Sequence, residues 1–250
     1  MTGGRLIVGS TALPATVHNV HGAAGRTNWV CLARGDRLAG SWEAVEWARV
    51  PVDGVSGEHL HTRTEEIYLV LSGTAEVLLD GRPHRLGKGG MALTRIGSSH
   101  ALRNVGDVPV EWLVIELLAP AAMRTVTGSD PRRWRGPWTP ARGGNVASTV
   151  VDLGAVGEFD PRWVFDGPLA SVRIERMGPG DVTELVAAGR EHVLFVISGH
   201  GTAVSGDLRF PLSAGTSVTL PLGGRVRIEP GADGIELFRA TMLVTESELP

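Results

Sequence analysis

A single cysteine, Cys31, in 250 residues excludes an intrachain disulfide and fits a reducing compartment. Lysine is almost absent: Lys88 stands alone against a background of arginine, which reads as coding bias rather than function. No basic stripe is present and the formal net charge is −3, so direct nucleic-acid binding is not expected. No apolar run is long enough to span a bilayer. Leu6-Ile7-Val8 is the only apolar stretch near Met1 and makes a poor secretory signal, so the expected location is cytoplasmic. Sustained 3.6-residue periodicity is also lacking, the best helical candidate being a short piece from Arg37 to Val45.

What the chain has is β-pattern and turns. Apolar, β-branched runs such as Ile67 to Leu71, Ala75 to Leu79, Met91 to Thr94 and Trp112 to Leu118 are separated by Gly, Pro, Asp or Asn. Asp80-Gly81 between two runs predicts a hairpin, because a type I′ turn needs positive φ at both central residues. With 34 glycines and 15 prolines the composition agrees, and the chain reads as all-β.

A shift of 126 residues lays Ile67–Gly73 on Val193–Gly199, Gly54 on Gly180, Gly89 on Gly215, Gly97 on Gly223 and Arg95 on Pro221. Such a gapless match is an internal repeat. It divides the chain into residues 1–118, a connector over 119–149, and residues 150–250. The connector holds Pro120, Pro131, Pro137, Pro140, Trp134 and Trp138, and its tryptophans are expected to pack onto a barrel.

One constellation carries chemistry. His59 and His61 are two residues apart and share a strand face, Glu66 opens the next apolar run, and His100 follows the turn at Gly97. Three imidazoles and one carboxylate make a divalent-metal site, whereas His-x-His alone is usually solvated surface.

These residues resemble the two motifs of the cupin superfamily, G-x5-H-x-H-x(3,4)-E-x6-G and G-x5-P-x-G-x2-H-x3-N. His59, His61, Glu66 and Gly73 match the first; Gly89, Gly97, His100 and Asn104 match the second. Two turn positions depart, since the leading glycine falls one residue late at Gly54 and Arg95 replaces the proline. The resemblance implies a bicupin, two tandem double-stranded β-helix (jelly-roll) barrels. It implies one divalent ion per chain, held in the first barrel, with iron or manganese the first choice and nickel or zinc close behind.

The second copy lacks this chemistry. His59 maps to Leu185, His61 to Ala187, Glu66 to His192 and His100 to Val226, and a lone His192 reads as a satisfied core or rim residue. In the first copy strand parity points Tyr68 and Val70 inward with Glu66, and Ile67 and Leu69 outward. Tyr68 is the only tyrosine and the catalytic candidate, as proton donor or hydrogen-bonding group, although a core aromatic would read the same. Glu65 is expected to face solvent, and is the fallback ligand if the register slips. Trp42 and Trp47 fit either the barrel mouth or packing, Arg95 and His84 either an anionic substrate or exposed turns, and Asn104 a turn.

The resemblance implies an enzyme acting on a small, oxygen-rich organic molecule. The first choice is a dioxygenase-type oxygenase that also takes dioxygen; the alternative is a metal-assisted cyclase, isomerase or decarboxylase. A non-catalytic binding cupin ranks third, because no helix-turn-helix pattern accompanies the barrels. The N-terminal copy also resembles small cupins of bacterial natural-product pathways. A homodimer is expected, with no nucleic-acid or membrane partner.

Overall fold

The computed structural model describes residues 4–120, 122 and 147–244. Most of the connector expected over 119–149, including Trp134 and Trp138, lies outside the described residues. Within them the chain is built almost entirely of strands, as expected of tandem jelly rolls.

After β1 (Ile7–Ser10), the first barrel is formed by β2 (Ala15–His18), β3 (Arg26–Arg34), β4 (Trp42–Val50), β5 (Val55–Leu60), β6 (Thr64–Ser72), β7 (Ala75–Leu79), β8 (Arg82–Leu86), β9 (Gly90–Thr94), β10 (Ser99–Asn104) and β11 (Val110–Leu118). They make two facing sheets, one of order β5-β10-β7-β8 and one running β9-β6-β11-β4-β3-β2. The turn between β7 and β8 places Asp80 at φ 49° and Gly81 at φ 74°, as the hairpin signal requires. The expected helix from Arg37 to Val45 does not form. A 3-10 turn over Gly35–Arg37 leads into β4, because pairing with both β3 and β11 overrides local propensity.

β12 (Thr149–Asp152) precedes the second barrel, made of β13 (Glu158–Phe159), β14 (Leu169–Met177), β15 (Thr183–Val186), β16 (Arg190–Ser205), β17 (Leu208–Ser213), β18 (Thr216–Leu220) and β19 (Arg225–Leu243). The 126-residue repeat is visible in pairing. His100 opposite His59 in the first barrel corresponds to Val226 opposite Leu185 in the second.

The barrels exchange edge strands. β1 pairs with β18 of the second barrel, Ile7 opposite Thr219, while β12 pairs with β9 of the first, Thr149 opposite Leu93. Since Leu93 and Thr219 are repeat equivalents, the exchange is reciprocal.

Parity sorts the apolar residues into three cores. Tyr68, Val70, Ala92, Trp112 and Val114 fill the first barrel, and Leu194, Val196, Val218, Leu220 and Leu237 fill the second. Alternate residues on the same strands, including Ile67, Leu69, Leu113, Ile115, Val193, Phe195 and Phe238, meet in one core shared by both barrels. A strand whose two faces are both covered loses the polar alternation of a surface strand, which is why β6 is apolar nearly throughout.

This shared core corrects the expectation for Glu65. Parity does turn it out of its own barrel, but the second barrel covers that face and leaves Glu65 only 1% exposed. Its carboxylate accepts backbone N–H bonds from Asp166 (2.8 Å) and Gly167 (3.1 Å). Burial pushes its carboxyl up to about 7, against the pull of those two bonds. Its repeat equivalent, Glu191, reaches the opposite way, accepting from Ala39 and Gly40 N–H and the Trp42 indole, each at 3.0 Å. Trp42 and Trp47 are thus packing residues of the shared core.

Candidate metal centre

His59 and His100 face each other across the β5–β10 pair, which directs both rings into the barrel. His61 follows β5 in a tight connection, its backbone N–H bonded to Ser98 O (2.9 Å) and its carbonyl accepting from Gly97 N (2.8 Å). Gly97 has φ +84°, a conformation costly for a residue with a Cβ, so the glycine of the second motif shapes the turn that carries both His61 and His100. Glu66 enters from β6, opposite Thr94 of β9.

One donor atom from each of His59, His61, Glu66 and His100 lies within 4.8 Å of every other. The Nε2 atoms of His61 and His59 are each 3.2 Å from that of His100, and Glu66 Oε2 is 2.8 Å from His100 Nε2 and 3.4 Å from His61 Nε2. Every Nδ1 is anchored on the far side: His59 to Gly57 O (3.1 Å), His61 to Thr64 O (3.1 Å) and His100 to Thr94 Oγ1 (2.7 Å). With Nδ1–H donated outward, three Nε2 lone pairs converge on one point. Glu66 Oε2 is buried with no aligned donor despite its nearness to His100. Lone pairs facing one another without a proton between them repel, and a divalent cation relieves that repulsion. The residues present therefore fit such an ion, and it is these four that could hold it.

Without an ion a proton takes its place: burial alone would raise the Glu66 carboxyl, yet N–H and charge from His100 and His61 hold it at about 2, and Glu66 in turn raises His61 against its burial. Burial and the neighbouring His100 push His59 down to about 4, favouring the neutral ring that binds metal.

Beside the cluster is a cavity of about 330 Å³ whose lining includes Glu66, Tyr68, Trp29, Trp112, Glu46 and Glu116. Tyr68 points inward as its parity requires, its ring centroid 4.3 Å from that of His100. Burial and the Glu66 charge hold its phenol well above 10, with Ser56 as hydrogen-bond partner, so the hydroxyl stays protonated.

The other sequence candidates have structural partners. Asn104 shapes a turn, donating to Pro51 O and Val108 O (2.8 Å each) and accepting from Gly106 N (2.9 Å). Arg95 reaches Asp166 at 3.2 Å, and His84 sits on β8, in the outer strand of its sheet. His192, inside the second barrel, contacts Thr241 Oγ1 at 3.1 Å and belongs to no group of three or more ligand-type residues among the described residues.

Sequence reasoning missed several residues here. His21, in the 3-10 turn Val20–Gly22, stacks on His59 with centroids 3.6 Å apart and planes 11° apart. Glu46 and Glu116 line the cavity; burial raises both carboxyls, Glu116 to about 7, and the charge of Glu66 adds to each. Their signal was present, since each is an acid at the inward parity of its strand, in line with Ala48 and Val50 or with Trp112 and Val114. His21 leaves no comparable trace, because its place depends on how a turn folds over β5.

The second barrel is filled differently. Pairing places Arg173 where the first barrel has Glu46, Arg239 where it has Val114, and Thr241 where it has Glu116. Arg239 lies 2.7 Å from Glu175, an ion pair occupying the space that the cavity holds in the first barrel.

Residues 46–116 match the cupin domain family. The oxalate-binding protein of Thermotoga maritima is 24% identical over 115 residues, 46% of this chain and 95% of that protein. Among solved structures, protein Ylba from E. coli superposes with a TM-score of 0.72 at 11% identity, over 98% of this chain and 94% of that one. Oxalate decarboxylase of Bacillus subtilis gives 0.64 at 13%, over 95% and 76%. Salicylate 1,2-dioxygenase of Pseudaminobacter salicylatoxidans gives 0.59 at 17%, over 83% and 73%. With two barrels, a 126-residue repeat and both motifs in the first copy, the chain has the tandem-barrel fold of these structures, and its residues 46–116 match the cupin domain family.

Proposed function

We propose that this chain is a bicupin and a metal-dependent enzyme of the first barrel, acting on a small, oxygen-rich organic molecule by dioxygenase-type chemistry. The carrying observation is the convergence of His59, His61, Glu66 and His100 on one point at the wall of an aromatic-lined cavity. Iron or manganese is the first choice of ion, with nickel and zinc next. Three neutral imidazoles and one carboxylate leave a divalent ion one net positive charge and, in octahedral geometry, two open positions; it supplies Lewis acidity and, with iron or manganese, access to dioxygen.

The chain's own residues do the rest. Gly57 O, Thr64 O and Thr94 Oγ1 orient the three rings, so the donor set is formed before any ligand arrives. Tyr68 remains a protonated donor facing the cavity, suited to hold a substrate oxygen. Trp29 and Trp112 supply flat apolar wall that excludes water.

The alternative is non-redox metal-assisted chemistry, a lyase, cyclase or isomerase reaction. The cavity carboxyls of Glu46 and Glu116 favour it, because with raised pKa they can exchange protons near neutral pH.

Elemental analysis of the purified protein, before and after His59→Ala and His61→Ala together, tests the site; metal retained at full stoichiometry in the double variant refutes it. Oxygen uptake by iron-reconstituted protein over a panel of phenols and β-diketones then separates the chemistries. Turnover that persists anaerobically with zinc bound would favour the non-redox reaction.

A further inference from the structure

We infer that the cavity of the first barrel takes a substrate with a cationic nitrogen, an ammonium or amidinium group, at the end remote from its metal-binding oxygens. The inference rests on the metal-centre reading above and adds the chemical class of the substrate.

The lining residues include three carboxylates, Glu46, Glu66 and Glu116, and neither arginine nor lysine. With all three ionised, a divalent ion with neutral imidazoles offsets two of these charges and leaves one unbalanced. Burial and the Glu66 charge accordingly raise the Glu46 and Glu116 carboxyls, and a cation placed between them stabilises their ionised form. The cation that acts on Glu46 is Arg34, which is exposed at the end of β3 and outside the lining. Among the described residues the Trp29 indole donates to Glu46 at 2.9 Å. A buried carboxylate short of donors is costly, and a cation arriving with the substrate removes that cost.

The aromatic walls point the same way. Trp29 and Trp112 face the same space as the carboxylates, and indole is the best of the aromatic faces for a cation. Trp112 is 2% exposed and lines the cavity, yet its indole N–H has no partner among the described residues. A substrate that brings an acceptor oxygen for this N–H and a cation for the carboxylates satisfies all of them.

The barrel does not require acids at these positions. In the second copy the same register holds Arg173 in place of Glu46 and Thr241 in place of Glu116. At about 330 Å³ the cavity is at the small end of the ~300–1,000 Å³ range of small-molecule pockets. A compact dianion such as oxalate would bring two negative charges against the acids of this wall and force them to stay protonated, so it is disfavoured here.

The test uses full-length protein loaded with Mn(II) and three hydroxamates of similar size. These are glycine hydroxamate (cationic), propionohydroxamate (neutral) and malonate monohydroxamate (anionic), titrated by calorimetry at pH 7.5. The expected order is cationic, then neutral, then anionic, each step about tenfold or more in Kd. In Glu46→Gln, Glu116→Gln and the double variant the spread should shrink toward unity while Mn(II) content stays that of the wild type, which also shows the barrel is folded. Neutral or anionic probes binding the wild-type protein as tightly as the cationic one would overturn the inference, whatever the variants do. Failure to retain Mn(II) would remove the metal-centre reading and this inference together. Retention without the charge order would remove this inference alone.

Discussion

Replacing Glu191 by alanine should be among the most damaging single substitutions in the chain, although Glu191 lies outside the metal site. Its side chain is fully buried, and its two oxygens accept four bonds at 3.0 Å, from Ala39 N, Gly40 N, Trp42 Nε1 and Leu222 N. Three of those donors belong to the first barrel and one to the second, so the carboxylate ties the two together. Hydrogen bonds to a charged group contribute about 1.5–3 kcal/mol each, and a stranded buried donor costs about 1–3 kcal/mol. Allowing for water entering the space left by the side chain, Glu191→Ala should lose about 4–6 kcal/mol, well above the usual range for a point mutation. Glu191→Gln keeps one acceptor oxygen but turns an NH2 toward two donors, so about 2–3 kcal/mol is expected. Glu65→Ala, with only two bonds to lose, should fall near the glutamine value. Urea denaturation followed by far-UV circular dichroism measures all three, and a single transition is expected because residues of both barrels share one core. A loss under about 1 kcal/mol for Glu191→Ala, or two separate transitions in the wild type, would refute the reasoning.

Two further outcomes follow from local geometry. At Gly57 an added Cβ would sit 2.2 Å from the backbone oxygen of His21, so Gly57→Ala must push away the turn that stacks on His59. A stability loss of about 1–3 kcal/mol with weaker metal retention is expected, and unchanged values for both would show that the stacking is incidental. His192 is 5% exposed, and burial, followed by the charges of Arg190 and Arg173, lowers it from 6.5 to about 4. The unfolded chain therefore takes up this proton first on acidification. The stabilisation is complete above pH 6.5 and lost as pH falls toward 4, on the order of 3 kcal/mol at most. Urea midpoints at pH 7 and pH 4.5 should differ less in His192→Leu than in the wild type; an equal difference would refute the assignment.

The metal cluster was legible because its signal is local. His-x-His brings two rings together at the end of β5, His59 on the strand and His61 just past it, Glu66 follows one connector later, and the Gly97 turn brings His100 back opposite His59. The inward places of Tyr68 and Val70 followed from the same parity. Parity gives a side, however, and not what lies beyond it. Glu65 reads as solvent-facing until the second barrel is packed against that side, which also explains the tryptophans at 42 and 47. The turn at Gly35–Arg37 and strand Trp42–Val50 replace the helical candidate for the same reason, pairing partners being remote in sequence. Glu46 and Glu116 occupy the inward parity of β4 and β11 and could have been found by asking which strand acids share a face with Glu66. The exchange of β1 and β12 has no local signature, since a four-residue strand carries nothing that names the barrel of its partner.

The second barrel shows which residues decide whether this fold holds a metal. Leu185 and Val226 face each other in the register of His59 and His100, so the backbone still supports a site. Restoring the donors with Leu185→His, Ala187→His, Val226→His and His192→Glu should nevertheless give weak binding. Arg239 and Arg173 occupy the positions that Val114 and Glu46 hold in the first barrel; both reach Glu175, and Arg173 also pairs with Glu158 at 3.9 Å nearer the surface. A metal centre with one net positive charge would lie beside two guanidinium groups, of which Arg239 is buried, at a cost on the order of 1 kcal/mol or more per nearby like charge. Adding Arg173→Glu and Arg239→Val to the four donor substitutions should raise zinc affinity by tenfold or more over the donors alone. Atomic absorption after dialysis against graded zinc concentrations reads this directly, with His59→Ala and His61→Ala in the background to silence the first site. Equal zinc retention by the four-substitution and six-substitution proteins would show that the arginines are bystanders. The loss of metal in the second copy would then be a matter of ligands alone.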